Sequence, residues 1–164
     1  MGKVFEDYFS EVQADMVAVC LEYVENEADD IYIYCSYEPE MYAFDVFFKI
    51  NNHLVHKHHV NEAVNSGSST GEKVMIDTST HRQEAVLDIG IENVRRLHEI
   101  CKEYGREMPT EIKLHYNVKN GDLKGKYRYD CVYSNDEVLL PDDIFDLWFE
   151  EVSKGMIWNR YGEV

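Results

Sequence analysis

The sequence predicts a single α+β domain over residues 1–164, built on an antiparallel sheet of about five strands. Three stretches repeat apolar side chains at three- and four-residue spacing, which predicts helices. Shorter stretches alternate between two kinds of side chain, which predicts strands. The strands come in two runs with short turn signals between them, which favours antiparallel pairing. We therefore expect the order helix, three strands, helix, two strands, helix, with the helices packed mainly on one face of the sheet.

In the first half of the chain, residues 4–24 predict an amphipathic helix with an acidic outer side. Residues 31–37 alternate between Ile, Cys or Tyr on one side and Tyr or Ser on the other, which predicts a strand. Two more strands are predicted over 41–50 and 53–60, joined at Asn51–Asn52, because Asn tolerates a positive φ. These three strands form a meander in the predicted fold.

In the second half, residues 83–104 predict a helix that Gly105 ends. Strands are predicted over 111–118 and 123–133, with a hairpin turn at Asn120–Gly121. A last helix begins at Pro141 and has an apolar side that includes Trp148, which its spacing places in the core. Between these parts, residues 61–80 contain a Ser- and Gly-rich loop, and the apolar run 74–76 is compatible with a strand or with a packed coil.

The charge of the chain is strongly negative and unevenly distributed. The formal net charge is −16. Residues 1–45 hold twelve Asp or Glu and one Lys, a net −11, and residues 129–153 hold eight acids and no Lys or Arg, a net −8. A field of this sign repels phosphate backbones and anionic membranes, so we expect no direct contact with nucleic acid or with a membrane. Basic proteins are the natural partners, although many acidic surfaces serve solubility alone.

The cysteines and the chain start indicate a cytoplasmic protein with reduced thiols. Cys20, Cys35, Cys101 and Cys131 form no CxxC pair and no zinc-site spacing, and each lies in an apolar run, so we expect all of them to be buried. No signal peptide pattern opens the sequence, and no stretch of 18 apolar residues predicts a membrane span.

Enzyme chemistry finds little support in the sequence. The run His53, His56, His58 and His59 suggests a metal site, with His56 and His58 on one side of the predicted strand, but a solvated edge strand explains it more simply. No HExxH, P-loop, GxSxG or dinucleotide-binding motif is present. We therefore predict a protein that is not an enzyme and that needs no cofactor or metal.

The candidate binding surface is the sheet face that points away from the predicted core. Aromatic rings interleaved with carboxylates suit a basic protein partner, because Tyr supplies rigid contact area and carboxylates pair with Arg and Lys. Two simpler interpretations are that the second helix covers this face, or that it is only a polar outer surface. Phe47 points to the same face in the predicted sheet. The predicted partner-binding residues are Tyr32, Tyr34, Glu38, Glu40, Asp45, Asp130, Asp142, Asp143 and Asp146.

The C-terminal third resembles a known family. The segments 110–114, Asn120–Gly121–Asp122, 126–130, 134–137, Pro141–Asp142–Asp143 and 145–148 are similar to those of the YezG-like immunity (antitoxin) family of bacterial polymorphic toxin systems. The order of elements agrees over most of the chain, and residues 61–85 depart from the pattern. The resemblance implies a cytosolic protein that binds and neutralises a cognate toxin domain, often a nuclease.

Three functions are compatible with these observations. The first is an immunity protein that neutralises a cognate toxin domain, expected to be a basic nuclease, through an acidic, Tyr-rich surface. The second is a general acidic protein-interaction or adaptor domain without a toxin partner. The third is a His-dependent metal enzyme. The charge distribution and the family resemblance favour the first.

Overall fold

The computed structural model describes residues 3–38, 41–66, 74–132 and 139–155. Within these ranges the order of elements is the predicted one, with one short helix added after the third strand. The helices and strands are α1 (Phe5–Tyr23), β1 (Asp30–Tyr37), β2 (Tyr42–Ile50), β3 (His53–His56), α2 (Val60–Asn65), α3 (Thr80–Glu103), β4 (Glu111–Asn117), β5 (Leu123–Arg128) and α4 (Pro141–Ser153).

The five strands form one antiparallel sheet in the order β3-β2-β1-β4-β5. This arrangement confirms the α+β prediction. The central strand β1 pairs with β2 on one side, with Ile33 opposite Val46, and with β4 on the other, with Ile33 opposite Leu114. Two hairpins produce the outer pairs β2–β3 and β4–β5. The first turn is the predicted one, because Asn51 and Asn52 have φ of 49° and 69°.

Helices α1 and α3 cover one face of the sheet and enclose the main core. They run antiparallel, since Glu6 lies beside Arg106, and Asp15 lies beside Arg96. Their apolar stripes meet the side chains of alternate strand positions, as the sequence predicts. The packing is close at Gly90 of α3, where an added Cβ would overlap the Phe44 ring on β2. The fully buried sheet residues on this side include Ile31, Ile33, Cys35, Val46, Phe48, Ile112 and Leu114.

Helix α4 packs on the opposite face, so the helices lie mainly, but not all, on one side. Its buried residues Phe145 and Trp148 contact Tyr32, Tyr34 and Phe47 of the two central strands. The prediction that Trp148 belongs to a core is confirmed, since its exposed fraction is 3%. The sheet is therefore covered on both faces, by layers of unequal size.

Two predicted strands are too long, and one helix was missed. The strand predicted over 53–60 ends at His56, because the chain then turns through a 3-10 segment, Lys57–His59, into α2. The strand predicted over 123–133 ends at Arg128. The run 74–76 is not a strand; it packs down through Ile76, which is buried, while Met75 is 72% exposed.

The cysteines divide into two classes. Cys20, Cys35 and Cys101 are buried, as expected, but Cys131 is exposed. The prediction is wrong for Cys131 because β5 has already ended, so no layer covers the chain at that point. Burial raises the pKa of the other three thiols, which behave as small apolar side chains.

Candidate functional site

The aromatic part of the predicted binding surface is buried. Tyr32 and Tyr34 are 7% and 1% exposed, and Phe47 is fully buried, because α4 covers this face of the sheet. The expectation that these rings are exposed is therefore wrong. The covering element is the last helix, and the second helix of the predicted order, α3, lies on the other face. While α4 is docked, neither tyrosine ring is available to a partner.

The rings beneath α4 form a compact aromatic cluster. Phe47 stacks on Tyr32 with a centroid distance of 4.7 Å and meets Trp148 edge-on at 5.0 Å and Phe149 at 5.1 Å. On its other side, Tyr32 stacks on His115 at 4.4 Å. Such ring pairs stabilise the fold beyond the contribution of the apolar area that they bury. Burial raises the pKa of Tyr32 above its ordinary value, so the hydroxyl stays neutral at physiological pH.

The acids predicted to accompany these rings do not form one patch. Asp45 on β2 pairs with Lys57, with an Nζ–Oδ1 distance of 3.0 Å. Asp130 follows β5, which β1 and β4 separate from β2, and it pairs with Arg128. Glu38 is buried, and its Oε1 accepts a hydrogen bond of 2.7 Å from the Val132 N–H. Glu40 lies outside the described residues.

The outer side of α4 carries the remaining predicted acids. Asp142, Asp143 and Asp146 are exposed, and so is Glu150 one turn further on. Asp143 also accepts a hydrogen bond from the Leu140 N–H, which begins the helix. We call the exposed set Asp142, Asp143, Asp146, Leu147 and Glu150 the α4 acidic face.

No carboxylate of the α4 acidic face forms an ion pair within the described residues. On the other layer, by contrast, arginines hold acids in place. Arg96 binds Asp15, Arg106 binds Glu6, and Arg95 binds Glu92 and Glu99. Within the described residues, the acids of α4 thus lack the ion pairs that Asp15, Glu6, Glu92 and Glu99 form, and Lys154 is the one basic residue between 139 and 155.

The histidine run does not form the predicted strand face. His56 ends β3 and stacks on Phe149 of α4, with a centroid distance of 4.0 Å, while His58 and His59 belong to the following 3-10 segment. Burial lowers the pKa of His56, and it also lowers the pKa of His58. Among the residues that the structure describes, no group of three or more His, Cys, Asp or Glu is placed to hold a metal ion.

A groove that the sequence patterns missed opens on the α1–α3 side, at the β5 edge of the sheet. Its volume is about 570 Å³, within the range of ligand sites. Phe5 and Phe9 at the start of α1 line it, with Tyr104 at the end of α3 and Tyr127 and Tyr129 at the end of β5. We call this the aromatic groove. The periodic pattern places several of these rings in core stripes, but in the structure the three tyrosines are 40–51% exposed.

No protein-family model matches the chain, and no curated protein matches it. Across the described ranges, no helix combines the length and the apolar character that crossing a membrane requires.

Proposed function

We propose that the chain is an immunity protein that binds and neutralises a basic toxin domain, with the α4 acidic face as the primary contact. The single observation that carries the proposal is the set of exposed, unpaired carboxylates on α4 in the described structure. A nuclease domain is a suitable toxin, because the surface that holds phosphate groups must be basic. The similarity of residues 110–150 to the YezG-like family supports the same function.

The composition of this face also suits a protein interface. Leu147 is 50% exposed and supplies an apolar contact, while Asp143, Asp146 and Glu150 are its exposed neighbours on the helix. Apolar centres with polar rims are typical of protein–protein contacts. Unpaired surface charge of one sign accelerates association with an oppositely charged partner, and the acceleration falls as salt rises.

The experiment compares two charge reversals that change the net charge equally. Asp146→Lys/Glu150→Lys alters the α4 acidic face, and Glu84→Lys/Asp88→Lys alters exposed acids with the same spacing on α3. Each variant is co-expressed with the product of the neighbouring gene. The measurements are the growth of the cells and the rate at which the variant associates with that product. We expect the α4 variant to associate about tenfold or more slowly at low salt and to protect poorly. The α3 variant should remain close to the unaltered chain.

Two results would contradict the proposal. Equal losses in the two variants would mean that overall charge, and not the α4 acidic face, governs binding. Tight binding of a neighbouring product that is harmless to the cell would favour the adaptor function instead. Circular dichroism of both variants checks that the substitutions leave the fold intact.

A further inference from the structure

The aromatic groove offers ring faces in an arrangement that suits a flat cation. Phe5 meets Phe9 with a centroid distance of 5.2 Å and Tyr104 edge-on at 5.7 Å, and Phe9 meets Tyr127 at 6.2 Å. The Tyr127 ring is fixed, because Gln13 Nε2 donates a 2.8 Å hydrogen bond to its hydroxyl oxygen. It also lies over Gly125, where an added Cβ would be only 2.6 Å from the hydroxyl. The walls of the groove are thus built by the fold.

Carboxylates surround these rings. Glu6, Asp7, Glu103 and Glu107 are exposed around the groove. Burial, followed by the neighbouring Tyr8, Glu103 and Asp7, raises the pKa of Tyr104. A guanidinium gains both from an aromatic face and from a carboxylate that accepts its N–H groups.

The chain already places one guanidinium in this setting. Arg106 Cζ lies 4.2 Å from the Phe5 ring centroid, and Arg106 Nη2 lies 3.2 Å from Glu6 Oε1. The groove therefore binds its own arginine through a ring and a carboxylate. Tyr104, Tyr127 and Tyr129 remain 40–51% exposed beside it.

We infer that the aromatic groove is a receptor for an arginine side chain of a protein partner. The combination of rings, carboxylates and an internal arginine favours this occupant over an apolar one, because an apolar ligand would gain nothing from the acidic rim. The inference goes beyond the proposed function. It assigns a second site on the opposite face of the sheet from α4, and it would stand if the α4 acidic face bound nothing.

The test is a titration of the full chain with N-acetyl-arginine amide, followed by NMR of the tyrosine ring signals. N-acetyl-citrulline amide, which is neutral and of the same shape, and N-acetyl-phenylalanine amide are the comparison probes. We expect saturable shifts of the Tyr104 and Tyr127 signals at millimolar arginine amide, with citrulline amide about three- to tenfold weaker. Equal binding of citrulline amide, tighter binding of phenylalanine amide, or no saturation would overturn the inference.

Variants at Tyr104 and Arg106 test the parts of the site separately. Tyr104→Leu removes an exposed ring and should weaken arginine amide several-fold, while Tyr104→Phe keeps the ring face and should restore most of the affinity. Arg106→Ala frees the Phe5 face and should strengthen binding. Unchanged or weaker binding by Arg106→Ala would contradict the step in which Arg106 occupies part of the groove. Arg106 and Tyr104 are exposed, so these changes should leave the fold intact.

Discussion

The two faces of the sheet are covered in different ways. On one face, α1 and α3 supply 19 and 24 residues and enclose a continuous core that reaches from Val12 to Leu114. On the other, the 13 residues of α4 supply two side chains of a cluster of five buried aromatic residues and cover the three that come from the sheet. The first layer is tied by arginine–carboxylate pairs along its length, and the second is held by ring contacts while its outer carboxylates remain unpaired in the described structure.

The difference gives the two layers unequal shares of the stability of the domain. The large layer supplies most of the buried apolar area, and therefore most of the hydrophobic free energy of folding. The small layer contributes less area, so α4 can open at a lower free energy than the whole domain. Its outer carboxylates form no ion pair within the described residues, so their field extends into solvent.

The largest effect is expected from Phe47 and Phe48, which are adjacent in β2, both fully buried, and directed to opposite faces. Phe48→Ala removes a ring from the main core and should lower the free energy of unfolding by about 3–5 kcal/mol. Phe47→Ala should mainly release α4. In urea unfolding, Trp148 fluorescence should then change at a lower concentration than circular dichroism does, whereas the two midpoints should fall together for Phe48→Ala.

The control for this comparison is the Trp158→Phe background, which leaves Trp148 as the single tryptophan. Coincident fluorescence and circular dichroism midpoints in Phe47→Ala would show that α4 unfolds with the rest of the domain. The proposed division into two layers of different stability would then fail.

Much of this architecture is predictable from the sequence, because spacing alone defines the apolar side of a helix and the two sides of a strand. The side chains of β1 explain what is not predictable. One side of β1 carries Ile31, Ile33 and Cys35, and the other carries Tyr32 and Tyr34. Both sides are therefore apolar enough for a helix to cover them. Tyrosine suits an exposed interface and a buried cluster equally well. The pattern therefore leaves open which side receives the last helix.

A smaller effect is expected from Gly90→Ala, which tests the close packing of α3 on β2. The added methyl group overlaps the Phe44 ring, so the substitution should cost about 1–3 kcal/mol of stability. The gain in helix propensity offsets up to about 1 kcal/mol of this cost. Thermal unfolding measures the result. Leu147→Ala on the half-exposed side of α4 is the matched change on the other layer and should stay within about 0.5 kcal/mol. A neutral Gly90→Ala would show that the first layer is loosely packed.

The smallest effect is the pH dependence of two histidines, one for each layer. Burial lowers the pKa of His56, which stacks on Phe149, and of His98, whose Nδ1 lies 2.8 Å from the Tyr42 hydroxyl. Asp146 and Asp45 oppose the shift at His56, whereas His58 and Lys57 add to it. At His98, Lys102 adds to the shift and Glu99 opposes it.

The direction follows from proton binding. Both folded pKa values lie below the unfolded value near 6.5, so the unfolded chain takes up these protons first as the pH falls. The free energy of unfolding should therefore decrease as the pH falls from about 7.5 to about 5.5. In urea unfolding followed by Trp148 fluorescence, His56→Gln should reduce this loss of stability. In urea unfolding followed by circular dichroism, His98→Gln should reduce it. A decrease that both variants retain in full would assign the pH dependence to other groups.

The candidate surfaces were harder to predict than the fold. The acids of α4 are visible in the sequence as residues Asp142, Asp143 and Asp146, and the structure does expose them. Asp45 and Asp130 cannot be separated by pattern alone, because their distance depends on the strand order. The aromatic groove depends on where the helices end relative to the sheet edge, and apolar spacing does not contain that information.

Cys131 gives the chain a natural point of attachment for a fluorescent dye. Maleimides react with thiolates, and the thiols of Cys20, Cys35 and Cys101 are buried with raised pKa values, so the exposed Cys131 should take the label first. Because Cys131 follows Tyr129 by two residues, such a dye would sit next to the groove wall and report its filling by a change in emission. Ligand binding in the aromatic groove could thus be followed with a dye on the natural Cys131, and no engineered cysteine is needed.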